Sequence, residues 1–147
     1  MTTILQVEQL SKRFGGLQAV DGVSFSLQQG AIKAVIGPNG AGKTTLFNLI
    51  AGMLPPTSGA IRFQGKAIGG MRPFRVAELG IARTFQNIKM FAGMTALENV
   101  MVGRHVRTAA GVFGAILRNR ATRSEEQATM RRAQELLDYV GIGMHVH

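Results

Sequence analysis

Gly37-Pro38-Asn39-Gly40-Ala41-Gly42-Lys43-Thr44 fills every position of the pattern G-x-x-x-x-G-K-[ST]. A loop of this composition suits a phosphate chain. Glycines let successive backbone N–H groups turn inward with no Cβ in the way, and such a run of amides forms an anion-binding nest. A helix opening near Lys43 adds its unpaired N-terminal donors and the positive end of its dipole. Lys43 supplies a mobile cation for the β- and γ-phosphates. The Thr44 hydroxyl suits a Mg²⁺ ion bridging those phosphates, and Thr45 can donate to the phosphate nearer the sugar. The residues Gly37, Pro38, Asn39, Gly40, Ala41, Gly42, Lys43, Thr44 and Thr45 therefore read as a nucleotide cradle.

The flanking sequence supplies the setting that such a loop requires. Ala31 to Ile36 is apolar except for Lys33, as expected of a strand buried on both faces. Lys43 to Ala51 places Leu46, Leu49 and Ile50 on one helical face, and Gly52 is positioned to end that helix. Strand, glycine-rich loop and helix in that order predict an α/β fold of the phosphate-loop kind.

Further outward, Ile4 to Leu10 reads as a first strand and Lys12-Arg13-Phe14-Gly15-Gly16 as a turn. Val23, Phe25 and Leu27 alternate with polar residues, the period of a half-buried strand. Downstream, Pro55 to Gly59 is a turn, Ala60 to Phe63 a short strand, and Gln64-Gly65-Lys66 another turn. Pro73 to Leu79 suits a short helix opened by proline, and Ile81 to Phe85 returns to extended structure. Thr95-Ala96-Leu97-Glu98 has the form of a capping box for a helix running past Val100 and Val102. Ser124-Glu125-Glu126 is expected to cap a last helix, with Ala128, Ala133, Leu136, Leu137 and Val140 on its apolar side. Arg131 and Glu135 are spaced to pair on the exposed side of that helix.

Composition removes several function classes. The chain has 147 residues, 46% hydrophobic and 17% charged, which suits one domain or a piece of one and excludes disorder. It has no cysteine, so disulfides, thiolate metal sites and a cysteine nucleophile are excluded. His105, His145 and His147 are scattered without metal-ligand spacing. No signal peptide is evident, and the longest apolar run, Ala109 to Leu117, is about half of a membrane-spanning helix. A soluble intracellular chain, or one attached peripherally to a membrane, is expected.

The net charge of +9 is localised. Seven arginines lie between Arg104 and Arg132 against only Glu125 and Glu126, a net +5 in one segment. That segment reads either as a solvated basic helical face or as a contact with anionic lipid headgroups or an acidic partner. Nucleic-acid binding is not expected. It calls for cations interleaved with aromatics, whereas this chain has one Tyr, no Trp, and its basic excess away from most of its Phe residues.

A phosphate loop alone specifies only a nucleoside triphosphate. A GTPase would carry an N-K-x-D motif, which is absent, and no acceptor-site acid or arginine lid of a kinase is identifiable. Three further stretches narrow the choice. Val20-Asp21-Gly22-Val23-Ser24-Phe25, Ile36 through Leu46, and Leu54-Pro55-Pro56-Thr57-Ser58-Gly59 resemble the N-terminal part of an ABC transporter ATP-binding subunit. Arg13-Phe14-Gly15-Gly16-Leu17, Arg83-Thr84-Phe85-Gln86-Asn87 and Phe91 through Val100 resemble the subfamily serving branched-chain amino acid (leucine–isoleucine–valine) uptake. The resemblance spans essentially the whole chain.

The resemblance implies a phosphate-loop NTPase of the ABC nucleotide-binding domain type, truncated before the signature motif and Walker B. It implies a nucleotide-binding core over about residues 1–86 and part of a helical subdomain over about 87–147. ATP and Mg²⁺ would be the cofactors. Phe14 would stack on adenine, at a position where the family more often has Tyr, and Val20 would pack on the base edge. Gln86 matches the family's glutamine loop, whose amide joins Thr44 in holding Mg²⁺ and helps position water. Lys43 and Gln86 would contribute to hydrolysis. Transmembrane permease subunits, a second ATP-binding subunit and, indirectly, a solute-binding protein would be the partners, at the cytoplasmic, inner face of the cell membrane.

The sequence departs from the full family pattern. It has no L-S-G-G-Q signature and no apolar run ending in Asp-Glu, and its only aspartates are Asp21 and Asp138. The family's catalytic glutamate and switch histidine have no counterpart here. Weak or absent hydrolysis by this chain alone is therefore expected.

Overall fold

Alternating apolar and polar residues at the start of the chain make two long antiparallel strands. In a computed structural model, which describes residues 2–84, 90–104 and 120–142, these are β1 (Thr3–Phe14) and β2 (Leu17–Gln28). Lys12, Arg13 and Phe14, expected in a turn, remain in β1 because they pair with Val20, Gln18 and Leu17. Only Gly15 and Gly16 make the turn. β3 (Ser58–Phe63) lies antiparallel on the other side of β1, with Val7 opposite Ile61, and β4 (Lys66–Ala67) follows it. The strand order is β2-β1-β3-β4.

An irregularity in β1 makes its apolar face continuous. Val7 and Leu10 are three residues apart, a spacing that would put them on opposite faces of a regular strand. The register shifts between them, and Gln9 adopts a φ of 45°. Both residues are consequently buried. The displaced amide of Gln9 donates to Ser24 Oγ at 2.8 Å, and that of Gly22 donates to Ser11 Oγ at 2.9 Å. Serines thus replace the ladder partners that a bulge removes.

This face carries the core. Leu5, Val7, Leu10, Val20 and Ile61 cluster with Leu46 and Leu49 of α1 (Lys43–Ile50), with Ile68, and with Val76 of α2 (Pro73–Glu78). Each such side chain contributes about 1.5–3 kcal/mol on burial. The helix after the phosphate loop is therefore clamped to the sheet by its apolar side. It stops where expected: Gly52 takes φ 74°, and Met53 N–H returns to Asn48 O at 2.8 Å. A Cβ on Gly52 would lie 2.6 Å from Met71 O, so the close packing of the following loop also requires glycine. α2 opens on Pro73, as expected.

The run Ala31 to Ile36 does not form the expected strand. Ile32 is 100% and Ile36 90% exposed. A strand buried on both faces requires neighbours at its edges and layers above and below it. The four-stranded sheet of the described residues does not include this run. Residues 81–84 likewise belong to no strand, and Phe85 lies outside the described residues.

The chain divides into two units, Met1–Arg83 and Thr84–His147. In the second, α3 (Ala96–Arg104) packs against α4 (Arg120–Tyr139). The capping box at α3 forms in both directions. Thr95 N and Oγ1 donate to Glu98 Oε2 at 2.7 and 3.0 Å, and Glu98 N–H donates to Thr95 Oγ1 at 3.2 Å. α4 begins at Arg120, so Ser124 lies inside the helix rather than capping it. Arginine and alanine are good helix formers, and they carry the helix upstream of the serine. Its buried stripe is Thr129, Ala133 and Leu137, spaced four apart, while Leu136 and Val140 are exposed. Glu135 pairs with Arg132 at 2.6 Å rather than with the expected Arg131, an exposed contact worth at most about 1 kcal/mol. Ala109 to Leu117, His105, His145 and His147 lie outside the described residues. No helix among the described residues is long and apolar enough to cross a membrane.

Candidate functional site

The phosphate loop joins an exposed extended run to a helix held in the core. Gly42 is the N-cap of α1, with φ 82°, and no side chain caps the first turn. Leu46 is the first residue whose N–H closes back into the helix, onto Gly42 O at 2.9 Å. The N–H groups of Lys43, Thr44 and Thr45 precede that bond and have no carbonyl one turn behind them. The first turn contains no acidic residue to compete for them or repel an anion. Residues 37–41 are exposed, so the donors open to solvent.

Lys43 lies across this loop. Its Nζ donates to Gly37 O and to Pro38 O, both at 2.6 Å. The ammonium is thus anchored by two carbonyl dipoles of the loop it belongs to. Cation, helix N-terminus and glycine backbone are thus held together in one loop, which contains no carboxylate. This donor set fits a chain of phosphates. Thr44 is exposed at the same helix end, where its hydroxyl would hold a phosphate-bound Mg²⁺.

The remaining expected site residues are placed as follows. Val20 is buried (6% exposed) in the core, and its Cγ2 lies 3.6 Å from where a Cβ of Gly42 would be, directly behind the loop. Phe14 is 44% exposed at the tip of the β1–β2 hairpin. It is two residues, roughly 7 Å along the strand, beyond Lys12, which pairs with Val20. Lys12 Nζ sits 5.1 Å from the Phe14 ring centroid, leaving an aromatic surface that is only partly covered. Gln86 lies outside the described residues.

Three supporting arrangements were not anticipated from the sequence. Asn48, on α1, accepts a hydrogen bond from Arg83 Nη1, tying the helix after the phosphate loop to the segment that leads toward Gln86. A polar residue between Phe47 and Leu49, in the apolar second half of the helix, was the available signal. Thr57 Oγ1 accepts from Arg13 N–H at 3.0 Å, docking the proline-rich turn on β1. In the second unit, Asn99 Oδ1 accepts from Phe91 N–H at 2.9 Å and its Nδ2 donates to Thr95 O at 2.9 Å, bracing the loop before α3.

The sequence pattern of the ABC transporter family matches residues 20–146, from β2 through the phosphate loop into the second unit. The chain belongs to that family. Among curated ABC proteins, it is 40% identical over 139 residues to the high-affinity branched-chain amino acid transport ATP-binding protein of Pseudomonas aeruginosa, covering 95% of this chain and 54% of the relative. It is 38% identical over 144 residues to the corresponding protein of Salmonella typhimurium, covering 98% and 56%. Its fold resembles the crystal structure of an ATP-binding cassette of an ABC transporter in its ADP conformation, with TM-score 0.77 and 33% identity over 99% of this chain and 56% of that one. A nucleotide-free cassette gives TM-score 0.76 at the same identity and coverage. This ABC chain thus spans a little over half the length of the relatives it matches.

Proposed function

We propose that this chain is the nucleotide-binding portion of an ATP-binding subunit in an ABC importer of branched-chain amino acids. The observation that carries the reading is the Lys43 ammonium held at 2.6 Å from two carbonyls of its own loop, beside the uncapped N-terminus of α1. An arriving triphosphate offers Lys43 a stronger, fully anionic partner than those carbonyls. The likeness to branched-chain amino acid transport ATP-binding proteins supports the transport role.

In this reading Gly37 to Thr45 hold the phosphates and Lys43 bridges the β- and γ-groups. Phe14 stacks on adenine, and Val20 backs the base edge from the core. Mg²⁺, when bound at Thr44 and Gln86, neutralises phosphate charge. Residues 1–86 form the nucleotide core and 87–147 the part of the helical subdomain that faces a permease. The subunit works at the inner face of the membrane with transmembrane permeases, a second ATP-binding subunit and, through them, a solute-binding protein.

Titration with a fluorescent ATP analogue tests the reading. Saturable, Mg²⁺-enhanced binding that falls at least about tenfold in Lys43→Ala is expected, a loss of about 1.4 kcal/mol or more. Binding unaffected by Lys43→Ala, or displaced equally well by adenosine, would overturn it.

A further inference from the structure

The aromatic residue at the tip of the β1–β2 hairpin is held by a tethered cation. Little at the tip itself orients the Phe14 ring. Gly15 and Gly16 have open space where a Cβ would stand, and Leu17 is 67% exposed. Lys12, which is half-buried, supplies what the tip lacks. Its Nζ lies 5.1 Å from the Phe14 ring centroid and donates to Pro55 O at 2.8 Å. The chain around Pro55 is in turn fixed to β1. Thr57 N–H donates to Ser11 O at 2.9 Å, and Thr57 Oγ1 accepts from Arg13 N–H at 3.0 Å. The backbone of Lys12 is fixed opposite Val20, which backs Gly42. Both ends of a long, flexible side chain are thus pinned. Neither ion pair among the described residues includes Lys12, so no carboxylate there competes with the ring for its charge.

We propose that Lys12 is a positioning residue for the nucleobase: tethered to the turn at Pro55, its ammonium covers one face of the Phe14 ring and leaves the opposite face to stack on adenine. The proposal rests on Phe14 being the stacking residue of the nucleotide site, and adds to that role what orients the ring. A cation over an aromatic face is attracted by the ring quadrupole, so it restrains rotation of the ring. A ring with one face taken holds one base and in one place. Orienting it beforehand spares the nucleotide the cost of ordering it on binding. Docking the turn on β1 would not by itself call for this cation, because Thr57 already makes that connection through two hydrogen bonds.

Competition against a fluorescent ATP analogue, with ATP and inorganic tripolyphosphate as separate competitors, distinguishes base binding from phosphate binding. Phe14→Ala should weaken ATP by about fivefold or more and leave tripolyphosphate unchanged. Lys12→Met keeps the stem and removes the charge. It should weaken ATP about threefold, again with tripolyphosphate unchanged. Lys12→Arg, which keeps a cation over the ring, should restore ATP affinity. In the Phe14→Ala background Lys12→Met should have no further effect, because the charge acts through the ring. Wild-type ATP affinity in Lys12→Met, beside a weakened Phe14→Ala, overturns the proposal and leaves the role of Phe14 standing. A loss shared equally by tripolyphosphate, one that persists in the Phe14→Ala background, or one that Lys12→Arg does not restore also overturns it. Wild-type ATP affinity in Phe14→Ala removes the stacking role itself and the proposal with it. Absence of saturable binding by the wild-type chain overturns the nucleotide site as a whole.

Discussion

Gly42 packs so closely on Ala19 that a Cβ at position 42 would lie 2.1 Å from the Ala19 carbonyl oxygen. The end of the phosphate loop is thereby pressed onto β2, directly over Val20. Gly42 also holds φ 82°, a conformation that L side chains rarely adopt. Gly42→Ala is therefore expected to push the loop off β2. Affinity for an ATP analogue should fall at least about tenfold, with a loss of about 1–3 kcal/mol in stability by urea denaturation. Wild-type affinity in Gly42→Ala would show that this contact does not shape the site.

The 147-residue chain should hydrolyse ATP weakly or not at all. On the proposed reading Lys43 would stabilise phosphate charge without activating water, and these 147 residues contain no Asp-Glu pair after an apolar run to do so. A phosphate-release assay on purified chain decides the matter. Turnover comparable to that of ordinary ABC subunits, and abolished by Lys43→Ala, would refute the expectation.

Removing the acceptor of the Arg83 hydrogen bond should loosen the segment after α2. Asn48 is half-buried, and a bond from a charged donor is worth about 1.5–3 kcal/mol. Asn48→Ala is expected to lower stability by about that amount and to speed amide exchange over residues 81–84. Equal exchange in variant and wild type would show the contact to be incidental.

Leu49 is almost completely buried against the sheet, whereas its neighbour Phe47 is half-exposed. Leu49→Ala should cost about 2–5 kcal/mol and Phe47→Ala distinctly less, measured by chemical denaturation. The larger residue should thus matter less, because it leaves less surface buried. The reverse order would mean that α1 packs through its other face.

The capping box gives α3 a defined pH response. Hydrogen bonds from the Thr95 backbone and hydroxyl hold the Glu98 carboxyl below its ordinary value of 4.5. A depressed carboxyl stabilises the folded form above the ordinary value, and that stabilisation is lost as pH falls through the folded value. Helix α3 should therefore fray from its N-terminus below pH 4.5 but not between pH 6 and 8. A carbon-detected NMR titration of Glu98 reads this directly, and Thr95→Ala should return the carboxyl to its ordinary range. A wild-type Glu98 titrating at or above that range would contradict the structure.

The local elements were legible because their causes are local. The phosphate loop, the α1 stop at Gly52, the Pro73 start of α2 and the Thr95–Glu98 box each depend on residues within one or two turns. Reading failed where the cause was distant. Lys12 to Phe14 stay in β1 because β2 pairs with them. The start of α4 was instead a local misreading, since helix-forming residues directly precede Ser124. The contacts of Asn48 with Arg83 and of Arg13 with Thr57 join positions 35 and 44 residues apart, which no local pattern records.

The sequence by itself determined that this is a phosphate-loop chain, because glycines, lysine and threonine at fixed spacing leave few other uses for the loop, and the resemblance of the flanking stretches narrowed it to the ABC type. Tertiary structure alone decided two further things. The bulge at Gln9 turns Val7 and Leu10 to the same face, so α1 and the glycine-rich loop that opens it have a continuous apolar surface on which to sit. The run Ala31 to Ile36 has the composition of a buried strand yet lies exposed. Strand composition expresses a need for neighbours on both edges and both faces, and only the three-dimensional arrangement shows whether those neighbours are there.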